Sequence, residues 1–400
     1  MATLIQINTT LNSSSTGRIA EQISILAEKH GWNCYIAHGN LFVNKSQIKN
    51  IQIGTKFGNY IHAALGEFAG MHGFGSYLAT YYFIRKLKKI KPDIVHLHNL
   101  HGYYINIELL FKYLSKVNIP VVWTLHDCWS FTGHCTHFDY HGCSKWKTQC
   151  YECPLLMAQY KSRFIDRSKT NYIIKKKLYN NLNNLTIVPV SNWLGTLVRQ
   201  SILKTHAVNV IQNGIDLDIF SPKEANIRSR LNIQHNKKII LGVVSSGFKG
   251  KQEFIELSKD ERFQVIIVGV QKQWIKDLPD NIICIFRTNN QSELAEYYSA
   301  ADVYVNPTYN DTFPTTNIES LACGTPVVTY RTGGSPEILS PETGLVVDRG
   351  DYKSLIEAIL TCCGNGKAFY HDACVKRAHD LFNKDERFMD YIQLYESLLK

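Results

Sequence analysis

Two carboxylates frame seven residues in the string Asn310-Asp311-Thr312-Phe313-Pro314-Thr315-Thr316-Asn317-Ile318-Glu319. Carboxylates accept hydrogen bonds from sugar and ribose hydroxyls, and the free backbone N–H groups that open a helix suit phosphate oxygens. Asp311, Phe313, Pro314, Thr315, Thr316 and Glu319 are thus candidates for a site that takes a sugar and a phosphate together. Gly333-Gly334-Ser335-Pro336-Glu337 supplies a further loop. Ser13-Ser14-Ser15-Thr16-Gly17-Arg18 offers small residues through which backbone N–H groups can approach an anion, although it is not a G-x-G-x-x-G string.

Other residues could do different chemistry. Cys135, Cys143, Cys150 and Cys153 read C-x7-C-x6-C-x2-C, and the closing pair has the spacing of a zinc knuckle. Two readings stand: a structural zinc, with His134, His137 and His141 as alternative ligands, or unligated thiols in an irregular loop. Trp129, Phe131 and Trp146, in the same segment, could offer ring faces to a sugar. Asp216-Leu217-Asp218 spells D-x-D, a spacing that elsewhere holds a metal-bound diphosphate. Here it falls in a joint between domains and reads as chance, so no catalytic metal is expected.

Elements must place these residues. Short β-branched runs at 4–7, 34–37, 94–97, 121–125 and 186–190 alternate with helical patterns, of which 17–29 carries Ile19, Ile23, Leu26 and Ala27 on one face. A second series runs through 239–243, 265–268, 303–306 and 327–329. The pattern predicts an α/β protein of two tandem units, each a parallel sheet covered by helices. Open sheets of this kind bind ligands at the carboxyl ends of their strands, where the motifs fall. Turn formers from Gln212 to Pro222 set the boundary near 222. The domains are then 1–222, with a Cys-rich insertion at 128–153, and 223–400, whose final helix can pack back on the first domain.

Composition narrows the class. Four hundred residues with 44% apolar content exclude a disordered or collagen-like chain. No apolar run reaches the roughly 18 residues of a membrane span. The N-terminus lacks a basic region before its apolar stretch, so a cytoplasmic location with reduced thiols is expected despite eleven cysteines. Residues 1–222 carry 23 Lys and Arg against 11 Asp and Glu, whereas 223–400 carry 21 against 23. The first half therefore faces something anionic or simply has a solvated basic surface. Arg85-Lys86-Leu87-Lys88-Lys89-Ile90-Lys91 is either a contact for an anionic membrane or a plain helix end.

The carboxylate string, followed by Cys323-Gly324-Thr325-Pro326-Val327-Val328, resembles the Glu-x7-Glu signature of glycosyltransferase family 4. Thr124-Leu125-His126-Asp127-Cys128-Trp129 and His96-Leu97-His98-Asn99-Leu100-His101-Gly102-Tyr103-Tyr104 are similar to strings of its bacterial surface-polysaccharide subgroup, of the colanic acid, capsule and O-antigen type. The resemblance implies the GT-B fold, two Rossmann-like domains facing across a cleft, and sugar transfer with retention from a nucleotide-sugar donor. It gives Glu319 the donor ribose and Asp311, where the family usually has Glu, the transferred sugar. It makes His126 catalytic, puts His98 and Trp129 on the acceptor side, and brings Thr16 and Gly17 to the donor phosphate. Of the Arg and Lys that the family offers to the diphosphate, Lys249 matches the Lys. The Arg is absent, with Ser245 or its neighbour in its place and Lys251 a substitute charge.

The expectation is a retaining transferase that extends a surface polysaccharide or a lipid-linked oligosaccharide precursor. Its partners are a nucleotide-sugar donor and a glycan or polyprenyl-diphosphate-linked acceptor, with peripheral contact at the inner face of the cell membrane and no nucleic acid. A nucleotide-sugar epimerase of the same fold is the nearest rival. A zinc-stabilised nucleic-acid-binding protein lacks a basic arm or RNA-binding aromatic signature. A non-catalytic glycan-binding relative is the third.

Overall fold

The computed structural model describes residues 1–39, 42–244 and 247–400. The chain divides into two compact units. The first comprises Met1–Gln212 with Arg387–Lys400, and the second Asn213–Glu386. The segment expected in the first domain up to residue 222 lies with the second unit for a local reason. Ile215 N–H donates to Phe382 O at 2.9 Å and Lys384 N–H returns a bond to Ile215 O at 3.0 Å, stitching it to residues 382–384.

The first unit is built on seven parallel strands: β1 (Thr3–Asn8), β2 (Asn33–His38), β3 (Lys49–Gln52), β4 (Ile94–Leu97), β5 (Val121–Leu125), β6 (Leu185–Pro189) and β7 (Ala207–Val208). Their order is β3-β2-β1-β4-β5-β6-β7. Every residue of β4, β5 and β6 is buried, as a parallel strand covered on both faces requires. Helix α1 (Ser14–Lys29) joins β1 to β2 and buries Ile19, Ile23, Leu26 and Ala27. Helices α2 (Lys56–Ala69) and α3 (Tyr77–Ile90) lie between β3 and β4 in the chain. The final helix, Lys384–Leu398, sends Phe388, Tyr391, Ile392 and Tyr395 into the cluster of Leu4, Ile23, Trp32 and Ile36.

The second unit holds six parallel strands: β8 (Lys238–Val243), β9 (Phe263–Val268), β10 (Ile283–Ile285), β11 (Val303–Asn306), β12 (Val327–Tyr330) and β13 (Gly344–Val347), in the order β10-β9-β8-β11-β12-β13. In both sheets the strand order reverses once, between β1 and β4 and between β8 and β11. Such a switch point opens a crevice at the strands' carboxyl ends. Among the described residues no helix is long and apolar enough to cross a membrane.

Candidate active site

In the second unit the switch point carries the carboxylate string. The chain leaves β11 at Asn306, and the loop that follows ends in the helix Thr315–Ala322, with Pro314 at its N-cap. Asp311 Oδ1 accepts from the backbone N–H of Thr312 at 2.8 Å and of Phe313 at 3.2 Å, which fixes the carboxylate on its loop. Phe313 is buried against Phe382, and Thr315 and Thr316 are half-buried in the first helical turn. Glu319, one turn further on, accepts from Tyr298 Oη at 3.1 Å. The loop after β8 brings Lys249, whose Nζ donates to Asn310 O. Partial desolvation lowers the pKa of this ammonium group, and the neighbouring Asp311 carboxylate opposes the shift. Ser245 and Ser246 lie outside the described residues.

A crevice lined by Val243, Gly247, Lys249, Asn306, Asp311 and Thr316 results. It combines a cation, a carboxylate and a helix N-terminus, so it can hold phosphate oxygens and sugar hydroxyls side by side. Lys251, expected as a substitute charge, has its Nζ 2.8 Å from Asp277 Oδ2 in a pair open to solvent. Beside it, buried Glu253 accepts from Tyr309 Oη at 2.6 Å and Tyr330 Oη at 3.1 Å, an arrangement no local string announces.

In the first unit the ends of β4 and β5 bring histidines together. His98 Nδ1 lies 3.1 Å from His126 Nε2, and His98 Nε2 lies 2.6 Å from Gln6 Oε1. The Gln6 amide cannot turn over, because its nitrogen donates to Ala20 O at 2.6 Å and Ser24 Oγ at 2.7 Å. Its oxygen must therefore accept from His98 Nε2–H. Neutral His98 then accepts at Nδ1, and the proton of His126 sits on Nε2. Burial keeps both rings neutral: His126 is lowered to about 4, with Asp127 opposing, and His98 falls well below the ordinary value. Half-buried His126 sits just past the carboxyl end of β5.

Beside them His101 Nε2 meets Asp127 Oδ2 at 2.6 Å and His101 Nδ1 meets Tyr160 Oη at 2.6 Å. Burial works against the Asp127 carboxylate, yet His101 and the Trp129 N–H hold its pKa down to about 2. Thr16 and Gly17 lie in the first turn of α1, directly after the loop from β1. A Cβ on Gly17 would stand 2.6 Å from Thr10 Oγ1, so the loop packs on the helix through the missing side chain.

The two acceptor-side candidates line one small cavity with His126 and are themselves buried. His98 is buried and acts on His126 instead of lining an open surface. Trp129, also buried, has its ring under Lys175 Nζ at 3.3 Å, and the same ammonium donates to Trp129 O and Thr132 O. That cation covers one face of its ring.

The four cysteines of the insertion are neighbours. The Cys135 thiol donates to the Cys153 sulfur; bond and burial together raise Cys135 well above its ordinary pKa, and the same bond lowers Cys153 against the effect of burial. Cys150 Sγ accepts from Gly133 N–H at 3.3 Å, and burial pushes its thiol up to about 11. Among the described residues no three His, Cys, Asp or Glu side chains, those of Cys135, Cys143, Cys150 and Cys153 included, are spaced to hold a metal ion. Asp216 of the D-x-D string pairs with Lys384 and accepts from the N–H groups of Asp218 and Ile219, a turn and not a ligand set.

Two Rossmann-like parallel-sheet units in one chain, the second with a crevice for phosphate and sugar at its switch point, define a glycosyltransferase of the GT-B class. A family model described as Glycosyltransferase Family 4 matches residues 60–219, and one described as Glycosyl transferases group 1 matches 223–374. The chain belongs to this glycosyltransferase family. It is 23% identical over 333 residues, 77% of each chain, to the putative colanic acid biosynthesis glycosyl transferase WcaC of Escherichia coli (strain K12). Among solved structures, a sucrose-phosphate synthase from Thermosynechococcus elongatus superposes with a TM-score of 0.75 at 19% identity, covering 100% of this chain and 99% of the other. Anabaena Alr3699/HepE in complex with UDP-glucose gives 0.67 at 12% identity, covering 98% and 99%. At these identities the likeness is one of fold.

Proposed function

We propose that the chain moves a sugar, with retention, from a nucleotide-activated donor to a polysaccharide or lipid-linked oligosaccharide precursor. Surface-polysaccharide assembly, of the colanic acid, capsule or O-antigen kind, is the setting in which we read it, at the cytoplasmic side. The observation that carries the reading is the meeting of Lys249, Asp311 and the start of the helix Thr315–Ala322 at one switch point. The fold shared with a protein solved with UDP-glucose supports the donor class.

On this reading Lys249 and the helix N-terminus take the donor diphosphate, Asp311 takes hydroxyls of the transferred sugar, and Glu319 takes the ribose. As the bond to the anomeric carbon breaks, negative charge grows on the diphosphate, and Lys249 stabilises it. The acceptor oxygen attacks from the face the diphosphate leaves and passes its proton to a diphosphate oxygen, so the configuration is kept. His126, neutral and with its proton on Nε2, contacts the transferred sugar.

The test is nucleoside diphosphate release from UDP-, GDP- and ADP-sugars in chelator, with bacterial lipid extract as acceptor. One donor should turn over, and Lys249→Ala should slow it about a hundredfold. The sugar in the product should show the donor's anomeric coupling by NMR. An inverted anomer would refute retention, and an epimer formed without acceptor would favour the epimerase reading.

A further inference from the structure

Helix α2 is mounted with its apolar face outward. Its buried residues are Asn59, His62 and Gly66, polar or small. They anchor it: His62 Nδ1 lies 2.9 Å from Ser76 Oγ, and Gly75 N–H donates to His62 Nε2 at 3.0 Å. On the opposite side Phe57, Tyr60, Ile61, Leu65 and Phe68, at helical spacing, face solvent, with Phe57 and Tyr60 each 74% exposed. Phe68 stacks on Phe164, which is itself 73% exposed.

Helix α3, tied to α2 through Ser76, continues the theme. Tyr77, Leu78, Tyr81 and Tyr82 are exposed on its first turns, and Arg85, Lys86, Lys88 and Lys89 on its last. So many exposed rings and aliphatic side chains on two helices tied through Ser76 are rare on a surface that meets only water. Its charge selects the occupant. Residues 53–92 carry six Lys and Arg and a single acid, Glu67, which is already paired with Arg163. A second copy would set cations against cations. Aromatic rings beside a row of cations instead match the headgroup zone of a bilayer, where rings sink to the acyl boundary and ammonium groups meet anionic lipid.

We infer that the exposed face of α2 and α3 docks the protein on an anionic phospholipid bilayer. This surface belongs to the first unit and the sugar and phosphate crevice to the second, and the inference stands whether or not the transferase reading does. The test is co-sedimentation of the whole chain with vesicles of phosphatidylcholine alone and of equal parts phosphatidylcholine and phosphatidylglycerol. The protein should pellet with the anionic vesicles and be released by salt. The double variants Lys86→Glu/Lys89→Glu and Phe57→Ser/Tyr81→Ser should each weaken binding about tenfold or more. Their thermal unfolding should match the wild type, since all four side chains are exposed. Protein left in the supernatant with both vesicles, or variants that pellet like the wild type, would overturn the inference. So would a lipid-independent dimer that Phe57→Ser/Tyr81→Ser dissociates, which assigns the face to a second copy. Vesicle binding without turnover of any nucleotide sugar would count against the transferase reading alone.

Discussion

Gln6 reaches His126 through a single ring. Its fixed amide dictates the tautomer of His98, which dictates that of His126. Because burial lowers the His126 pKa from 6.5 to about 4, its ring should titrate with a midpoint near 4 when followed by NMR chemical shift. The unfolded chain takes up this proton first, so the stability this group contributes is complete above 6.5. It is lost as pH falls through the window from 6.5 to about 4. Gln6→Leu removes the acceptor for His98 Nε2–H, and His126 should then titrate at a different midpoint with kcat reduced. An unchanged midpoint in that variant would separate Gln6 from the site. His126→Ala should lower kcat about a hundredfold if its hydrogen bond forms in the transition state. Asp311 and Glu319 were legible because one local string holds both. Gln6 was not, because its partner is 92 residues away and a single polar residue in a buried strand reads as an exception. The cover on Trp129 was not legible for a similar reason: Lys175 lies 46 residues on.

Elements were legible where they are buried. The strands read from the sequence are interior to the two sheets. The four it did not announce, β3, β7, β10 and β13, are the four sheet edges. Edge strands bury less, so Lys49–Gln52 has no buried residue and Ile283–Ile285 is only half-buried, and neither shows the apolar run that marks a central strand. The loop after β8 gives the sharpest prediction at this scale. Gly250 has φ +74, and a Cβ there would fall 2.4 Å from Pro307 Cγ and 2.8 Å from Pro307 O. Gly250→Ala should cost about 1–3 kcal/mol of unfolding free energy, measured in denaturant, from the left-handed backbone and the clash together. It should also weaken nucleotide-sugar binding, since Lys249 is the adjacent residue. Full binding with reduced stability would show that the loop adapts.

At the scale of the molecule, the first unit depends on the end of the chain. Tyr395 Oη lies 2.6 Å from His96 Nδ1, and Tyr391 Oη accepts a hydrogen bond from the Thr124 hydroxyl at 3.1 Å. Removing residues 387–400 should expose the cluster around Ile23 and Trp32 and open the first unit at lower denaturant than the second, giving two transitions by fluorescence. Tyr395→Phe, which leaves His96 Nδ1 buried without its partner, should cost about 1–3 kcal/mol. Two α/β units were legible from alternation alone, but which unit owns residues 213–222 was not, because pairing with residues 382–384 decides it. The central claim concerns the second unit, that its switch point holds a nucleotide sugar. The most direct measurement is calorimetric titration of UDP-, GDP- and ADP-sugars into the wild type and Glu319→Ala, without divalent metal. The account predicts that one donor binds and that the substitution weakens it about tenfold or more, the worth of a charge-assisted hydrogen bond. Equal binding by the two proteins, or no binding of any donor to the wild type, would contradict it.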